Sequence, residues 1–231
     1  MHRINPSIID RKAEEGFSAL FVDLDGTVLN TKQQILASFH YACDQVLGYR
    51  IEDQKLVDLI GIPLLEQMRI LVAEEHVDAM VAAYREYQTE PDIYTEHYEG
   101  VHEALTALAG VGWPMAVVTS SRYDRAYQGL ASFNLDRFFE TIVAYENSER
   151  HKPHPDPLLK AAELLEVDVT RAIYVGDSPF DMQAAKAIGM LAVGASWGFF
   201  GAERLQEAGA DLLVDRFSEL PEGLAFARYQ P

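Results

Sequence analysis

The stretch FSALFVDLDGTVLNT, from Phe17 to Thr31, decides the fold. Its apolar run Ala19-Leu20-Phe21-Val22 suits a strand buried on both faces of a parallel sheet. The run stops abruptly at Asp23-Leu24-Asp25-Gly26-Thr27. Because side chains alternate along a strand, Asp23 and Asp25 leave its carboxyl end on one side and Leu24 turns to the core. Two carboxylates that close repel each other unless a cation lies between them or one keeps its proton. Gly26 permits a tight turn and a close backbone approach that a Cβ would block. At average residue usage D-x-D-G-T arises by chance at roughly one in a hundred thousand positions. That is too rare for an incidental acidic loop.

On the N-terminal side, the first sixteen residues are polar and read as a loosely held lead-in. On the other side, Thr31 to Gln88 shows helical spacing throughout and no strand pattern. Ile35, Phe39, Ala42, Cys43 and Val46 mark one helix, with Gly48 placed to stop it. Leu56, Leu59 and Ile60 mark a short second helix, broken by Gly61-Ile62-Pro63. Leu64, Leu65, Met68, Leu71 and Val72 restart the period, and Val77, Met80, Val81, Tyr84 and Tyr87 carry a fourth helix. Pro91 to Glu99 reads as the linker back. The expected organisation is a core of residues 1–30 and 99–231 with an all-helical unit, residues 31–98, inserted after the first strand.

From Gly100 the rhythm is helix and short apolar run in alternation. Val101, Leu105 and Leu108 mark a helix, Met115 to Val118 a strand, and Tyr123, Ala126, Tyr127 and Leu130 the next helix. Ile142 to Ala144, Ala172 to Val175, Leu191 to Val193 and Leu212 to Val214 read as strands, with helices at Leu158 to Leu165 and Met182 to Ile188. This alternation predicts an α/β fold, a Rossmann-like parallel sheet with helices on both faces. Ligands on such sheets bind beyond the carboxyl ends of the strands. There the sequence places Thr119-Ser120-Ser121, whose hydroxyls and backbone N–H groups suit a phosphate oxygen or a helix cap. A second strand end leads to Lys152, in the proline-stiffened loop Arg150-His151-Lys152-Pro153-His154-Pro155-Asp156-Pro157. A third ends in Gly176-Asp177-Ser178-Pro179-Phe180-Asp181. Ser178 with Asp181 has capping-box spacing, so Asp181 has a structural role open to it; Asp177 has none. Asp177 facing the crevice of Asp23 and Asp25 calls for a hard divalent cation such as Mg²⁺. His40, His76, His97, His102 and His154 show no metal-ligand spacing.

Composition narrows the partners. The chain of 231 residues has a formal net charge of -17, which repels nucleic acid and anionic membranes. The single cysteine, Cys43, forms no internal disulfide, and no apolar stretch reaches the ~18 residues of a membrane span. With no signal-peptide pattern at its start, the sequence reads as cytoplasmic.

D-x-D-G-T after the first strand, a hydroxyl after the second, Lys-Pro before a helix and G-D-x-x-x-D after the fourth resemble, in order, the four motifs of the haloacid dehalogenase superfamily. The helical insertion resembles its helical cap. Lys152-Pro-His-Pro-Asp-Pro-Leu-Leu, Ser196-Trp197-Gly198 and Ala208-Gly209-Ala210-Asp211 resemble segments of its phosphoglycolate phosphatase-like members. The resemblance implies a Mg²⁺-dependent phosphatase acting on a small phosphorylated metabolite. Asp23 would be the nucleophile and Asp25 the general acid and base. Thr119 and Lys152 would hold phosphoryl oxygens, with Gly26 and Ser120 as further phosphate contacts. The metal set would be Asp23, the Asp25 carbonyl, Asp177, and Asp181 directly or through water.

Asp25 separates this chain from true dehalogenases, which need no acid for a halide. Other readings remain: a β-phosphoglucomutase-like phosphotransferase, an inorganic pyrophosphatase, or a non-enzymatic phospho-receiver. Mutase-like members carry a basic residue soon after the cap-loop glycine, whereas Gly61-Ile62-Pro63-Leu64 is apolar here. Ser120-Ser121 is shared with some mutases. Asn30 stands where many relatives have an acid before the cap linker. The loop Gly61, Ile62, Pro63 and Leu64 is the expected reader of the leaving group. Arg50, Lys55, Arg69 and Arg85 are cap cations for a substrate carboxylate or for solvent.

Overall fold

Leu20 and Val22 point into one apolar cluster of the core and Ala19 and Phe21 into another. The strand is therefore covered on both faces, which is why its sequence is continuously apolar rather than alternating. The computed structural model describes residues 2–3, 16–89 and 93–224. Its main sheet contains β1 (His2–Arg3), β2 (Ala19–Val22), β5 (Met115–Val118), β6 (Thr141–Val143), β7 (Ala172–Gly176), β8 (Leu191–Ala195) and β9 (Leu212–Val214). The order is β1-β9-β8-β7-β2-β5-β6. Every pairing is parallel except that of β1 with β9. The strand at His2–Arg3 departs from the expected loose lead-in: it takes up the hydrogen-bonding edge that β9 would otherwise expose. The rest of that lead-in, apart from Gly16, lies outside the described residues.

The interleaved helices are α5 (Val101–Gly110), α6 (Tyr123–Ser132), α7 (Asp156–Leu164), α8 (Pro179–Ala187), α9 (Gly201–Glu207) and α10 (Leu220–Gly223). The expected α/β sheet with helices on both faces is present, and predicted element ends differ from the observed ones by one to three residues at most of these elements. Between β2 and α5 lie four helices, α1 (Lys32–Val46), α2 (Asp53–Val57), α3 (Leu64–Leu71) and α4 (Glu74–Tyr87). They bury their own cluster, with Phe39, Cys43, Leu56, Met68, Met80 and Tyr84 at its centre. Gly48 ends the first of them in a left-handed conformation, φ 73°. The four-helix reading of this insertion matches the structure. What it omits is a ribbon in which Leu29–Asn30 (β3) pairs antiparallel with Glu96–His97 (β4), Asn30 facing Glu96. Two-residue strands with one polar member carry no apolar alternation to detect. Pro91, the expected start of the return linker, lies outside the described residues. No described helix is long and apolar enough to cross a membrane.

The sheet places the site. β2 is central, with β7 and β5 on its two sides; the chain runs from β2 out to β5 and β6 on one side, then crosses back to β7 on the other. The crevice where crossovers diverge opens at their carboxyl ends. Asp23 continues the ladder there, its N–H donating to the Val175 carbonyl at 2.8 Å.

Candidate active site

Asp23, at the end of β2, is buried, and so are Asp177 after β7 and Asp181 in the first turn of α8. One carboxylate oxygen from each lies within 4.8 Å of the others. Lys152 answers this charge. It is only 1% exposed, and its Nζ donates to Asp23 Oδ1 at 2.8 Å, to Asp181 Oδ1 at 2.7 Å and to the Tyr174 hydroxyl oxygen at 3.1 Å. Burial alone would lower the Lys152 ammonium, but Asp181 and Asp23 outweigh it and hold it above the ordinary lysine range. Breaking such a buried pair by removing one partner costs ~3–5 kcal/mol, because the survivor is left uncompensated.

Asp181 is saturated. Its Oδ1 accepts from Lys152 and from the Tyr174 hydroxyl at 2.8 Å; its Oδ2 accepts from the Ser178 N–H at 3.0 Å and the Ser178 hydroxyl at 2.6 Å. Four donors match the roughly four lone-pair sites of a carboxylate. The capping box foreseen at Ser178 and Asp181 is formed. The geometry thus makes Asp181 an anchor for Lys152 and the α8 cap, while it also stands in the acidic group with Asp23 and Asp177.

Asp177 differs. The Phe199 N–H donates to its Oδ2 at 2.7 Å, and Thr27 Oγ1 approaches its Oδ1 at 3.3 Å. Burial, then Asp23 and Asp181, push its carboxyl well above the usual carboxylate range. Asp23 is pushed up to about 7 by burial, against the pull of Lys152 and with a further push from Asp181. The backbone is cut back around Asp177. A Cβ on Gly26, where φ is +85°, would fall 2.3 Å from Asp177 Oδ2, and one on Gly198 would fall 2.2 Å from Asp177 Cβ. Two adjacent buried carboxylates, each short of compensating donors, fit a divalent cation.

Asp25 stands apart from this trio. It is half-buried, and its Oδ2 accepts from the Ser121 hydroxyl at 2.6 Å. The expected convergence of Asp23, Asp25 and Asp177 is therefore a tight group of Asp23, Asp177 and Asp181, with Asp25 beside it on the cavity wall. Thr119, at the end of β5, is buried, and its Oγ1 accepts the Ser121 N–H at 3.0 Å. The two groups read as further phosphate contacts are engaged elsewhere. Gly26 donates its N–H to the Leu29 carbonyl at 2.7 Å, and the Ser120 hydroxyl donates to the Gly61 carbonyl at 2.6 Å. Each serves a turn or a cap contact in this arrangement.

A cavity of about 720 Å³ lies over these groups, between the sheet ends and the four inserted helices. Gly61, Ile62 and Leu64 form part of its wall, whereas Pro63 caps α3. Gly61, with φ +112°, lies so close to Ser178 and Phe180 that a Cβ would approach each to 3.0 Å. From behind, Gln67 Nε2 donates to the Ile62 carbonyl at 2.7 Å. Of the four cap arginines and lysines singled out in the sequence, Arg85 lines the cavity and Arg50 pairs with Asp44 on the surface. Arg122 and Arg125 of the core line it as well. His97 and His102 bond main-chain carbonyls, in keeping with packing roles.

The family model for haloacid dehalogenase-like hydrolases matches residues 20–195, the span from β2 to β8 that carries Asp23, Asp25, Thr119, Lys152, Asp177 and Asp181. The chain belongs to that family. It is 37% identical over 204 residues to PpaX of Caldanaerobacter subterraneus subsp. tengcongensis, covering 88% of this chain and 92% of the relative. It is 32% identical over 206 residues to the pyrophosphatase PpaX of Listeria monocytogenes serotype 4a, covering 88% and 94%. A solved structure from Clostridium acetobutylicum, described as a predicted phosphatase, superposes with a TM-score of 0.81 at 25% identity, over 90% of this chain and 98% of that one. A predicted phosphoglycolate phosphatase from Haemophilus somnus superposes at 0.79 and 22% identity, over 89% and 97%, and shows the shared fold. The haloacid dehalogenase resemblance and its α/β fold with a helical insertion both stand, and the non-enzymatic receiver reading falls.

Several site residues escaped sequence reading. Tyr174 lies mid-strand and looks like core, yet its hydroxyl joins Lys152 to Asp181. Phe199 acts through its N–H, for which a sequence holds no sign. Gly198 and Ser121 were visible as types, a glycine in a resembling segment and a hydroxyl at a strand end, without a partner to assign.

Proposed function

We propose that this hydrolase is a Mg²⁺-dependent phosphatase that cleaves a small phosphate monoester, phosphoglycolate-like in size, through an aspartyl-phosphate on Asp23. One observation carries the reading: Asp23 is pinned by Lys152 at the floor of the cavity, with Asp177 beside it and Asp25 on the wall. Asp23 and Asp177 would hold the cation, which when bound offsets the charge of the phosphoryl oxygens and carboxylates.

Lys152 takes one oxygen of Asp23 and fixes its plane, so the remaining lone pairs face the cavity. Attack of that carboxylate on phosphorus forms the Asp23–phosphorus bond as the bond to the leaving oxygen breaks. Asp25 gives its proton to the leaving oxygen. It then takes a proton from the water that attacks the aspartyl-phosphate, which releases phosphate and restores the Asp23 carboxylate. Thr119 donates to a phosphoryl oxygen during transfer, and the Lys152 charge beside Asp23 offsets the charge that builds there. The cavity-lining loop Gly61, Ile62 and Leu64 reads the leaving group, and its apolar character disfavours a phosphosugar mutase.

A second reading, inorganic pyrophosphate as substrate, is supported by the relatives named pyrophosphatase PpaX. The same residues serve it, with phosphate as leaving group. Phosphate release from phosphoglycolate, p-nitrophenyl phosphate and pyrophosphate, each with Mg²⁺ and with EDTA, tests both. Turnover that requires Mg²⁺ is expected, and kcat/KM ranks the substrates. Absence of turnover on all three, or full turnover in EDTA after dialysis, sinks the proposal.

A further inference from the structure

We propose that Ser121 is the positioning residue for the acid–base group Asp25, an inference that rests on the acid–base reading above. Its hydroxyl donates to Asp25 Oδ2 at 2.6 Å. Among the described residues no other side chain is bonded to that carboxylate. This distinguishes Asp25 from Asp23, Asp177 and Asp181, which are fixed by Lys152, Phe199 and the α8 cap. Asp25 is also less buried than they are, so packing restrains it less.

Ser121 is itself anchored on both sides. Its N–H donates to Thr119 Oγ1 at 3.0 Å, and its carbonyl accepts the Tyr145 N–H at 2.9 Å. The hydroxyl thus projects from a fixed main chain at the end of β5, and both Ser121 and Asp25 line the cavity. A hydroxyl-to-carboxylate bond at this length is of the strong, charge-assisted kind. With Oδ2 occupied by a donor, the proton of the acid form sits on Oδ1, the oxygen left to meet the leaving group. Ser121 therefore selects which oxygen exchanges the proton as well as where the carboxylate lies. Ser120 cannot substitute, because its hydroxyl is turned to the Gly61 carbonyl.

The test separates help with proton transfer from general structural support. A series of aryl and alkyl phosphates of increasing leaving-group basicity is hydrolysed by the wild type, Ser121→Ala, Ser121→Thr and Asp25→Asn, with Mg²⁺ saturating. p-Nitrophenolate leaves without a proton, whereas an alkoxide needs one. Acid–base groups contribute ~10²–10⁴-fold, so a positioning partner is expected to supply about tenfold of that. Ser121→Ala should lose less than about threefold in kcat/KM, which reports the first transfer alone, on p-nitrophenyl phosphate and about tenfold or more on the alkyl esters. Ser121→Thr, which keeps the hydroxyl, should restore the wild-type slope. Ser121→Cys, a weak donor of similar size, carries the test if the alanine variant does not fold. An equal loss across the series, no loss at all, or a threonine variant as impaired as alanine overturns the proposal. If Asp25→Asn is itself blind to the leaving group, the acid–base reading of Asp25 fails and this inference fails with it.

Discussion

The crevice floor and the cap-side wall are built on opposite terms. On the floor, Lys152, Tyr174 and Ser178 supply four donors to Asp181, and Lys152 holds Asp23 in the same stroke. On the wall, the loop around Gly61 meets the core through one hydroxyl bond from Ser120, backed by the exposed pair Arg204–Asp58 at 2.6 Å. A hydrogen bond of the first kind contributes about 1 kcal/mol and an exposed pair about 0–1 kcal/mol. On the proposed function, the contrast is a division of labour: chemistry would rest on the buried, densely bonded floor, and leaving-group choice on a loop held by fewer polar contacts.

The sharpest way to break this contrast is at the nucleophile. Asp23→Asn keeps the shape and removes the attacking charge, so kcat should fall by more than about a thousandfold, ~4 kcal/mol of barrier, while the fold persists. Steady-state kinetics and circular dichroism check both halves. Next come the two aspartates after β7. Asp181→Asn disturbs the Lys152 network and should lower stability by ~3 kcal/mol in urea unfolding. Asp177→Asn removes a buried carboxylate short of donors, so it should leave the metal-free protein at least as stable while weakening Mg²⁺ binding tenfold or more, about 1.4 kcal/mol. Equal stability losses in both variants would erase the distinction between anchor and ligand.

Much of this is legible in the sequence. The alternation of apolar runs with helical periods implies a parallel sheet, and a parallel sheet brings its strand ends together, so Asp23, Thr119, Lys152 and Asp177 could be grouped as residues that follow apolar runs. The longer inserted helices were legible because each carries a 3.6-residue period, whereas α2 is only Asp53–Val57 and stops short of the expected Leu59 and Ile60. What stayed hidden are contacts whose partners lie far apart in sequence and share no pattern. Thr27 meets Asp177 across 150 residues and Ser120 meets Gly61 across 59. Asp181 illustrates the other limit. Its capping spacing and its place in a metal-binding motif are equally visible in the sequence, and in the structure it forms the cap while standing in the acidic group.

The floor should also respond to pH in a way the wall does not. Burial holds Asp23 at about 7 against an ordinary value of 3.8, so between those values the folded protein keeps a proton that the unfolded chain has lost. Asp177 is shifted in the same direction. Stability of the metal-free protein is therefore expected to fall as pH rises from about 4 to 7, and Mg²⁺ should remove that fall. Thermal melts at pH 5 and 7, with and without Mg²⁺, check it; a metal-free protein that grows more stable over that range contradicts the burial argument. The smallest expected effect is on the wall. Ile62→Ala should shift the kcat/KM ratio between two esters of different leaving group by about threefold to tenfold and leave Mg²⁺ affinity unchanged. A uniform change on every ester would make the loop a simple turn.

A covalent bond at Asp23 is the step on which the proposed chemistry depends. Mixing the Mg²⁺-loaded enzyme with a ³²P-labelled ester and quenching in acid within a turnover should leave label on protein. Hydroxylamine should release it, and the labelled peptide should be the one containing Asp23. Steady turnover with no label on protein, or label on a peptide lacking Asp23, would contradict the mechanism at its first step.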